Sequence, residues 1–382
     1  MNTDAQAISP TMQELLLCLA AWGCIAIVVG PILYFLWRSG PRQRVWPPQR
    51  QRLVTWSMID FALILLLAEL TLPLLFSSLV MTWFPFKGYA QAEVAATVAQ
   101  AGSTLTSGGP PAASWLVNHR IDFLQLKAMT ARFGLYVLSI CAPFQVLLIV
   151  GVLRLRAQAL PLQIGLSIHR WRADLLTGFL VWLVVAPLCF ALHWVLQLPY
   201  LQELIGPTTP HALGYLIQLG PSSAEWVLLM FLTVVAGPVV EECFVRGALQ
   251  PLMVKNPLLA DATIITGLLT AISLGLLRED GTGTPWLPML FLVTVGLGYL
   301  FFEWIMHPWL PRPGAARAIF ASSLFFAALH FEAWPTPIPL FFLSLGLGFV
   351  AYRTQSLWGA ILLHALFNLL NFVALGLTRW LT

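Results

Sequence analysis

Long apolar runs separated by short polar segments make up most of this sequence. A helix needs roughly 20 apolar residues to cross the hydrocarbon core of a bilayer, about 30 Å thick. Ten runs have about that length: 12–37, 56–84, 133–156, 174–197, 223–250, 260–277, 286–306, 317–331, 337–352 and 355–378. The pattern predicts an all-α fold, a polytopic bundle of about ten transmembrane helices.

The composition agrees with a chain that lies mainly in lipid. Of the 382 residues 59% are hydrophobic and 9% are charged, against about 25% charged in an average soluble domain. This excludes a disordered chain and a secreted enzyme with a charged surface. The five cysteines all lie in apolar runs and form no CxxC pair, so we interpret them as packing residues. A net charge of +4 gives no indication of a nucleic-acid partner.

The basic residues are distributed unevenly between the two sets of alternating loops. One set contains 14 Lys and Arg residues and the other contains 6. Because basic loops stay on the cytoplasmic side, the bias predicts that both termini face outward. We therefore expect a multi-pass protein of the cell (inner) membrane, in contact with the lipid bilayer. The loop at about 85–132 is the only extended polar segment.

Several ionisable residues fall inside the predicted spans, where a charge costs about 2.5 to 3.5 kcal/mol at the helix centre. They are Asp60, Glu69, Glu225, Glu241, Glu242, Glu303, His193, His330 and His364. Asp60, Glu69, Glu225, Glu303 and His193 belong to no motif. We expect these five to form interhelical hydrogen bonds or to lie near an interface, and Glu69 and Glu303 are also candidates for lining an access path.

Two adjacent carboxylates, Glu241 and Glu242, lie on the fifth predicted span. Glu242 precedes Arg246 by four residues, so an α-helix would place the two on one face in the favourable acid-first order. Glu241 points about 100° away from Glu242 around the helix axis. We therefore expect Glu241 to find its partner on another helix.

Two further spans each carry a polar pair at a spacing of four residues. Phe326 and His330 form one pair, and His364 and Asn368 form the other, so each pair shares a helix face. At about 1.5 Å per residue from the nearest cytoplasmic basic residue, Glu241, His330 and His364 lie about 21, 20 and 17 Å deep. Similar depths predict one shared polar site, although either histidine alone would be a satisfied interior residue.

The ordered motifs Glu241-Glu242-xxx-Arg246, Phe326-xxx-His330 and His364-xxx-Asn368 resemble those of the CPBP family. This is the CAAX protease and bacteriocin-processing enzyme family, also called Abi, which includes the type II CAAX prenyl endopeptidases. The flanking sequences Pro-Val-Val-Glu-Glu and Leu-Leu-His-Ala-Leu-Phe-Asn agree with the resemblance. It covers roughly residues 165–378.

The resemblance implies an intramembrane glutamic endopeptidase that requires no metal or other cofactor. Its substrate would be a membrane-associated peptide or protein, lipidated or not. By position, Glu241 and His330 would activate water, and His364 and Asn368 would stabilise the oxyanion of the tetrahedral intermediate.

The same resemblance assigns supporting roles to Glu242, Arg246 and Phe326. It also implies a division of the chain into an N-terminal membrane region, 1–164, and a catalytic membrane domain, 165–382. Two features depart from the family pattern. Val245 replaces the usual aromatic residue before the arginine, and 89 residues separate Glu241 from His330. The second departure predicts an inserted helical hairpin near 256–310.

Two alternatives to a metal-free protease remain open. Glu241, His330 and His364 would be suitable ligands for zinc in a zinc-dependent membrane protease, although the sequence contains no HExxH motif. The second alternative is a non-proteolytic membrane scaffold, an immunity protein or a proton-coupled carrier. Gly237-Pro238 would suit the broken helix of a carrier, but no matching broken helix is visible elsewhere in the sequence.

Overall fold

The computed structural model describes residues 52–83, 123–199, 201–202, 212–276, 286–307, 310 and 314–381. These ranges contain helices and no strand, which confirms the all-α prediction. The helices are α1 (Met58–Ile64, Leu65–Thr71 and Leu72–Trp83 in one run), α2 (Phe123–Ala157), α3 (Pro161–Ile164), α4 (Trp171–Leu196), α5 (Ala212–Leu219), α6 (Ser223–Lys255), α7 (Pro257–Leu276), α8 (Trp286–Met306), α9 (Ala315–Ala328), α10 (Pro337–Thr354) and α11 (Trp358–Leu381).

Six of these helices are long and apolar enough to cross a membrane: α1, α2, α4, α6, α10 and α11. The protein is therefore an integral membrane protein with a helical bundle. The predicted runs 260–277, 286–306 and 317–331 coincide with α7, α8 and α9, whose described apolar stretches are shorter. The predicted run 12–37 lies outside the described residues, so the number of ten spans stays a prediction.

One helix begins earlier than the apolar pattern predicts. Helix α2 starts at Phe123, ten residues before the predicted span at 133–156. The last part of the predicted loop 85–132 is therefore helical, because the amphiphilic segment before the apolar run continues the same helix. Residues 84–122 of that loop lie outside the described part of the chain.

The chain forms two compact units, each built from non-contiguous segments. Among the described residues, one unit, called the 245–363 unit, contains those within 52–54, 161–202 and 245–363. The other, called the 364–382 unit, contains those within 55–83, 123–160, 212–244 and 364–381. Helix α6 passes from one unit to the other after Phe244, and α11 does so after Leu363. The division at residues 164 and 165 stays a prediction.

In the 364–382 unit, an arginine of α2 binds the acidic residue of the capping box at the start of α1. The Asp60 carboxylate accepts hydrogen bonds from the backbone N–H and the hydroxyl of Ser57, both at 2.8 Å. Arg156, near the end of α2, donates to the same carboxylate at 2.9 Å. An acidic group here stabilises the helix N-terminus, whose N–H groups have no partner within the helix.

The start of α6 has the same arrangement. Glu225 accepts from the Ser222 backbone N–H at 2.7 Å, and its own N–H donates to the Ser222 hydroxyl at 3.3 Å. Arg132, from the other end of α2, donates to the Glu225 carboxylate. The two arginines thus attach α2 to the ends of its neighbours. The predicted interhelical hydrogen bonds of Asp60 and Glu225 are confirmed.

In the 245–363 unit, α4 packs against α10 and against the start of α11. Glycines allow this approach: a methyl group at Gly178 would collide with the Gly359 carbonyl oxygen, so no side chain is tolerated there. Small residues commonly permit such contact between membrane helices. Helices α7 and α8 occupy the predicted hairpin region 256–310 and pack against α9. That this hairpin is an insertion stays a prediction.

Three π-helical segments interrupt the α-helical hydrogen bonding of α1 and α6 within the described ranges. They are Leu65–Thr71 in α1, and Phe231–Ala236 and Cys243–Leu249 in α6; the prolines that follow them are Pro73, Pro238 and Pro251. Each proline comes two residues after its segment ends. A wider turn relieves the clash between a proline ring and the carbonyl of the preceding turn, so both helices continue past their prolines.

Candidate active site

The two adjacent carboxylates of α6 lie at the end of a short α-helical segment, Gly237–Glu242, between two π-helical segments. The Glu242 side chain is fully buried, whereas 34% of the Glu241 side chain is exposed. Neighbouring positions on a helix point in different directions, so only one of the two carboxylates reaches a solvent-accessible surface. π-Helical interruptions occur frequently at functional sites.

A buried histidine of α11 lies against both carboxylates, within the 364–382 unit. The His364 Nδ1 atom is 2.9 Å from Glu242 Oε1, and its Nε2 atom is 3.8 Å from Glu241 Oε2. Only 4% of the His364 side chain is exposed. Carboxylates on consecutive residues of one helix therefore contact opposite nitrogens of one imidazole ring.

The Glu242 contact fixes the orientation of this ring. Because a carboxylate accepts hydrogen bonds, Nδ1 carries a proton and donates a hydrogen bond to Glu242. Nε2 then faces Glu241 at a distance too long for a direct hydrogen bond. Glu241 Oε2 is buried and has no hydrogen-bond partner among the described residues.

Asn368 lies one turn beyond His364 on the same helix. Its Nδ2 atom donates to the backbone carbonyl of Thr233, 2.8 Å away on α6. An amide nitrogen carries two N–H groups, so a second donor remains for other use. The 364–382 unit thus brings together four of the predicted site residues: Glu241, Glu242, His364 and Asn368.

The other predicted residues form a stack in the 245–363 unit, beginning with Arg246. This side chain is completely buried, and its Nη2 atom donates to the Ser344 hydroxyl at 2.5 Å and to the Ser344 carbonyl at 3.3 Å. The guanidinium carbon lies 4.6 Å from the centre of the Phe326 ring. A weakly hydrated, planar guanidinium is the cation best suited to such burial.

The same aromatic ring lies beside the second histidine. The rings of Phe326 and His330 are 4.8 Å apart, and Nδ1 of His330 is 2.9 Å from the Phe326 carbonyl oxygen. This carbonyl belongs to the last turn of α9, where no backbone N–H is available in the helix. The histidine donates to it, so the neutral ring keeps Nε2 as its acceptor. Phe326 therefore lies between Arg246 and His330.

Sequence patterns missed several contacts of these clusters. The expected Glu242–Arg246 pairing stays a prediction; α6 is π-helical from Cys243 to Leu249. No motif spacing indicates that Glu242 binds His364, or that Ser344 accepts from Arg246. Such contacts depend on how distant segments pack, which local periodicity does not encode.

Glu69, on α1, is a further carboxylate near this cluster. Gln145 of α2 donates to it at 3.3 Å, which confirms the expected interhelical hydrogen bond. The Glu69 carboxylate interacts electrostatically with that of Glu241. Its only sequence signal was the presence of a charge inside an apolar run. Within the described ranges, no group of three or more His, Cys, Asp or Glu side chains has a metal-binding arrangement. The zinc alternative stays a prediction.

The fold and the two clusters define a polytopic membrane protein with acid–base side chains buried on its helices. The family model described as Type II CAAX prenyl endopeptidase Rce1-like matches residues 223–305 and 299–370. These ranges contain every motif residue and confirm the resemblance drawn from the motifs, which supports a CAAX-type membrane endopeptidase in general. No curated protein and no solved structure matches the chain.

Proposed function

We propose that the protein is an intramembrane endopeptidase of the glutamic type, which hydrolyses a peptide bond in a membrane-associated protein or peptide. The observation that carries the proposal is the His364 imidazole between Glu242, at 2.9 Å, and Glu241, at 3.8 Å. Buried ionisable groups on apolar helices are costly and are retained for function. The match to the endopeptidase family model supports peptide-bond hydrolysis as the reaction.

Glu241 is the proposed general base. Its partly exposed carboxylate takes a proton from water, and the hydroxide adds to the carbonyl carbon of the substrate peptide bond. Glu241 then returns the proton to the departing nitrogen as the C–N bond breaks, giving a carboxylic acid and an amine. His330 assists the proton transfers through Nε2, since its Nδ1 is bound to the Phe326 carbonyl.

His364 and Asn368 are the proposed donors to the oxyanion. Because Nδ1 already donates to Glu242, this role requires the doubly protonated, cationic His364 ring, whose Nε2–H points to the side of Glu241, where the tetrahedral intermediate forms. Asn368 supplies its second N–H group. Donors held in place before the reaction stabilise a developing negative charge strongly where water is scarce. Arg246 and Phe326 hold His330 by stacking.

The test uses purified protein in liposomes and a membrane-anchored peptide ending in a Cys-aliphatic-aliphatic-X sequence, with and without a farnesyl group. Mass spectrometry of the products would locate the cut bond. Glu241→Gln should abolish cleavage, whereas Asp261→Asn, the same acid-to-amide change in the partly exposed ion pair between α7 and Arg317 of α9, should retain it. The farnesyl comparison decides whether the substrate is lipidated. Membrane fractionation checks the proposed location in the cell (inner) membrane.

A chelator arm separates the metal-free mechanism from the zinc alternative. We expect equal activity with and without a strong chelator. Loss of activity that added zinc restores would replace the glutamic mechanism by a zinc-dependent one. If the wild-type protein cuts neither peptide, or Glu241→Gln cuts as fast as the wild type, the endopeptidase proposal fails and the scaffold or carrier alternative gains support.

A further inference from the structure

Each proline that follows a π-helical segment leaves one predictable carbonyl group without its helical donor. In the π-helical register the Gly237 N–H donates to the carbonyl of Leu232, five residues earlier. The next position is Pro238, which has no N–H, so the carbonyl of Thr233 loses the corresponding bond. An unpaired carbonyl costs several kcal/mol inside a membrane.

A side chain from elsewhere in the same unit donates to this carbonyl at each of the three prolines that follow a π-helical segment in the described ranges. The three bonds are Gln145 Nε2 to the Ala68 carbonyl at 3.1 Å, five residues before Pro73; Asn368 Nδ2 to the Thr233 carbonyl at 2.8 Å, five before Pro238; and Arg52 Nη2 to the Arg246 carbonyl at 3.4 Å, five before Pro251. The recurrence indicates one structural device: a polar side chain replaces the backbone N–H that proline lacks.

At Pro238 this device lies beside the candidate active site. Glu241 follows Pro238 by three residues on α6, and His364 precedes Asn368 by one turn on α11. The Asn368–Thr233 bond therefore joins the two helices one turn of α11, and about two turns of α6, away from the contacts between His364 and the carboxylates. Fixing one point of α11 against α6 limits sliding and rotation of the helix, and thereby the position of the imidazole.

We propose that Asn368 is a positioning residue: its side-chain N–H replaces the missing N–H of Pro238 and holds His364 in register with Glu241 and Glu242. This role is separate from the oxyanion contact, because the two N–H groups of the Asn368 amide serve different acceptors. The effect on catalysis rests on the proposed function, whereas the effect on structure does not.

A double-mutant cycle tests the proposal without any assay of activity. Asn368→Leu keeps the volume but removes the donor, and Pro238→Ala restores a backbone N–H to Thr233. We expect Asn368→Leu to lower the thermal unfolding midpoint by about 5 °C when Pro238 is present, and by less than about 2 °C in the Pro238→Ala background. Equal losses in both backgrounds would overturn the proposal.

Two further pairs calibrate the cycle. Gln145→Met combined with Pro73→Ala should show the same coupling, because the same device operates there. Asn371→Leu should show none with Pro238→Ala, since the Asn371 amide donates to the Phe367 carbonyl of its own helix at 3.2 Å. If Asn368→Leu alone yields no folded protein, recovery of monodisperse protein by Pro238→Ala supports the proposal, and its absence contradicts it.

The position of His364 is read directly from the ¹⁵N resonances of its ring, assigned by their loss in His364→Asn. Asn368→Leu should shift them, and Pro238→Ala should return them. In the peptidase assay Asn368→Leu should lower kcat by about tenfold or more with KM nearly unchanged, and the double variant should recover at least part of it. If the resonances stay shifted in the variant that combines Asn368→Leu with Pro238→Ala, the proposed positioning role is wrong. An inactive wild type would count against the proposed function alone.

Discussion

The two histidines predicted to be catalytic, one in each unit, are held by different chemistry. His364 is bound by charged groups: one buried carboxylate at Nδ1 and one partly exposed carboxylate near Nε2. His330 is bound by a backbone carbonyl at Nδ1 and by an aromatic ring that also stacks on a buried guanidinium. The Nδ1 atom is engaged in both, so each ring has a fixed orientation.

This contrast indicates which groups are available for proton transfer. In the Arg246 stack the charged group is completely buried and bound to Ser344, so it contributes packing and orientation. In the group formed by Glu241, Glu242 and His364, 34% of the Glu241 side chain is exposed, and one of its oxygens has no hydrogen bond among the described residues. Chemistry is therefore expected at Glu241, and support at Glu242 and Arg246.

The largest expected effect separates the two adjacent carboxylates. Glu241→Gln should lower kcat/KM by about a thousandfold or more, because an amide does not accept the proton from water. Its unfolding free energy should change by less than about 0.5 kcal/mol, since the side chain is partly exposed. Glu242→Gln should lower both activity and stability, because it weakens a buried charge-assisted hydrogen bond to His364.

Steady-state kinetics and chemical unfolding in mixed micelles measure the two quantities on the same preparations. The comparison between the carboxylates breaks down if Glu241→Gln is as destabilising as Glu242→Gln. It also breaks down if Glu242→Gln leaves kcat unchanged, because His364 would then need no fixed orientation.

The next effect concerns the buried guanidinium. Arg246→Met should destabilise the protein by about 3 kcal/mol, since it removes a buried cation from its hydrogen-bonded and stacked partners. Arg156→Met is a suitable control: that arginine also binds a carboxylate, but 55% of its side chain is exposed. We expect about 1 kcal/mol there. Unfolding titrations that give equal losses would show that burial of Arg246 contributes little.

Much of this fold follows from apolar periodicity alone. The predicted runs at 174–197, 286–306 and 337–352 begin and end within three residues of α4, α8 and α10. Hydrophobic length predicts such helices well, because the bilayer excludes unpaired backbone groups. It does not predict the start of α2 at Phe123, since a helix can extend beyond the apolar run.

The site was less predictable than the fold. Spacing of four residues indicated that His364 and Asn368 share a face, and both contact α6. The pairing of Glu242 with Arg246, expected from the same spacing, stays a prediction. The partners Thr233 and Ser344 carry no motif at all. Which carbonyl or hydroxyl lies opposite a polar side chain depends on helix packing, and one sequence does not specify it.

A smaller effect is expected from the ring that links Arg246 to His330. Phe326→Leu should cost about 2 kcal/mol, because it removes both a cation–π contact and an aromatic pair from a fully buried position. Phe325→Leu changes the neighbouring, only partly buried ring and should cost less than half as much. Activity should also fall in Phe326→Leu, since His330 loses its stacking partner. Similar unfolding free energies for the two variants would argue against the stack.

The smallest effect tests the hydrogen bond that accommodates the buried charge. Ser344→Ala removes the hydroxyl that accepts from Arg246 at 2.5 Å and should cost about 1.5 kcal/mol, the usual range for a bond to a charged group. Ser323→Ala is matched in burial and chemistry, but its hydroxyl donates only to the Ile319 carbonyl of its own helix among the bonds described here. That variant should cost less than about 0.5 kcal/mol. Chemical unfolding of both proteins decides the matter: if Ser323→Ala costs as much as Ser344→Ala, the Arg246 charge is held mainly by Phe326 and the rest of its surroundings.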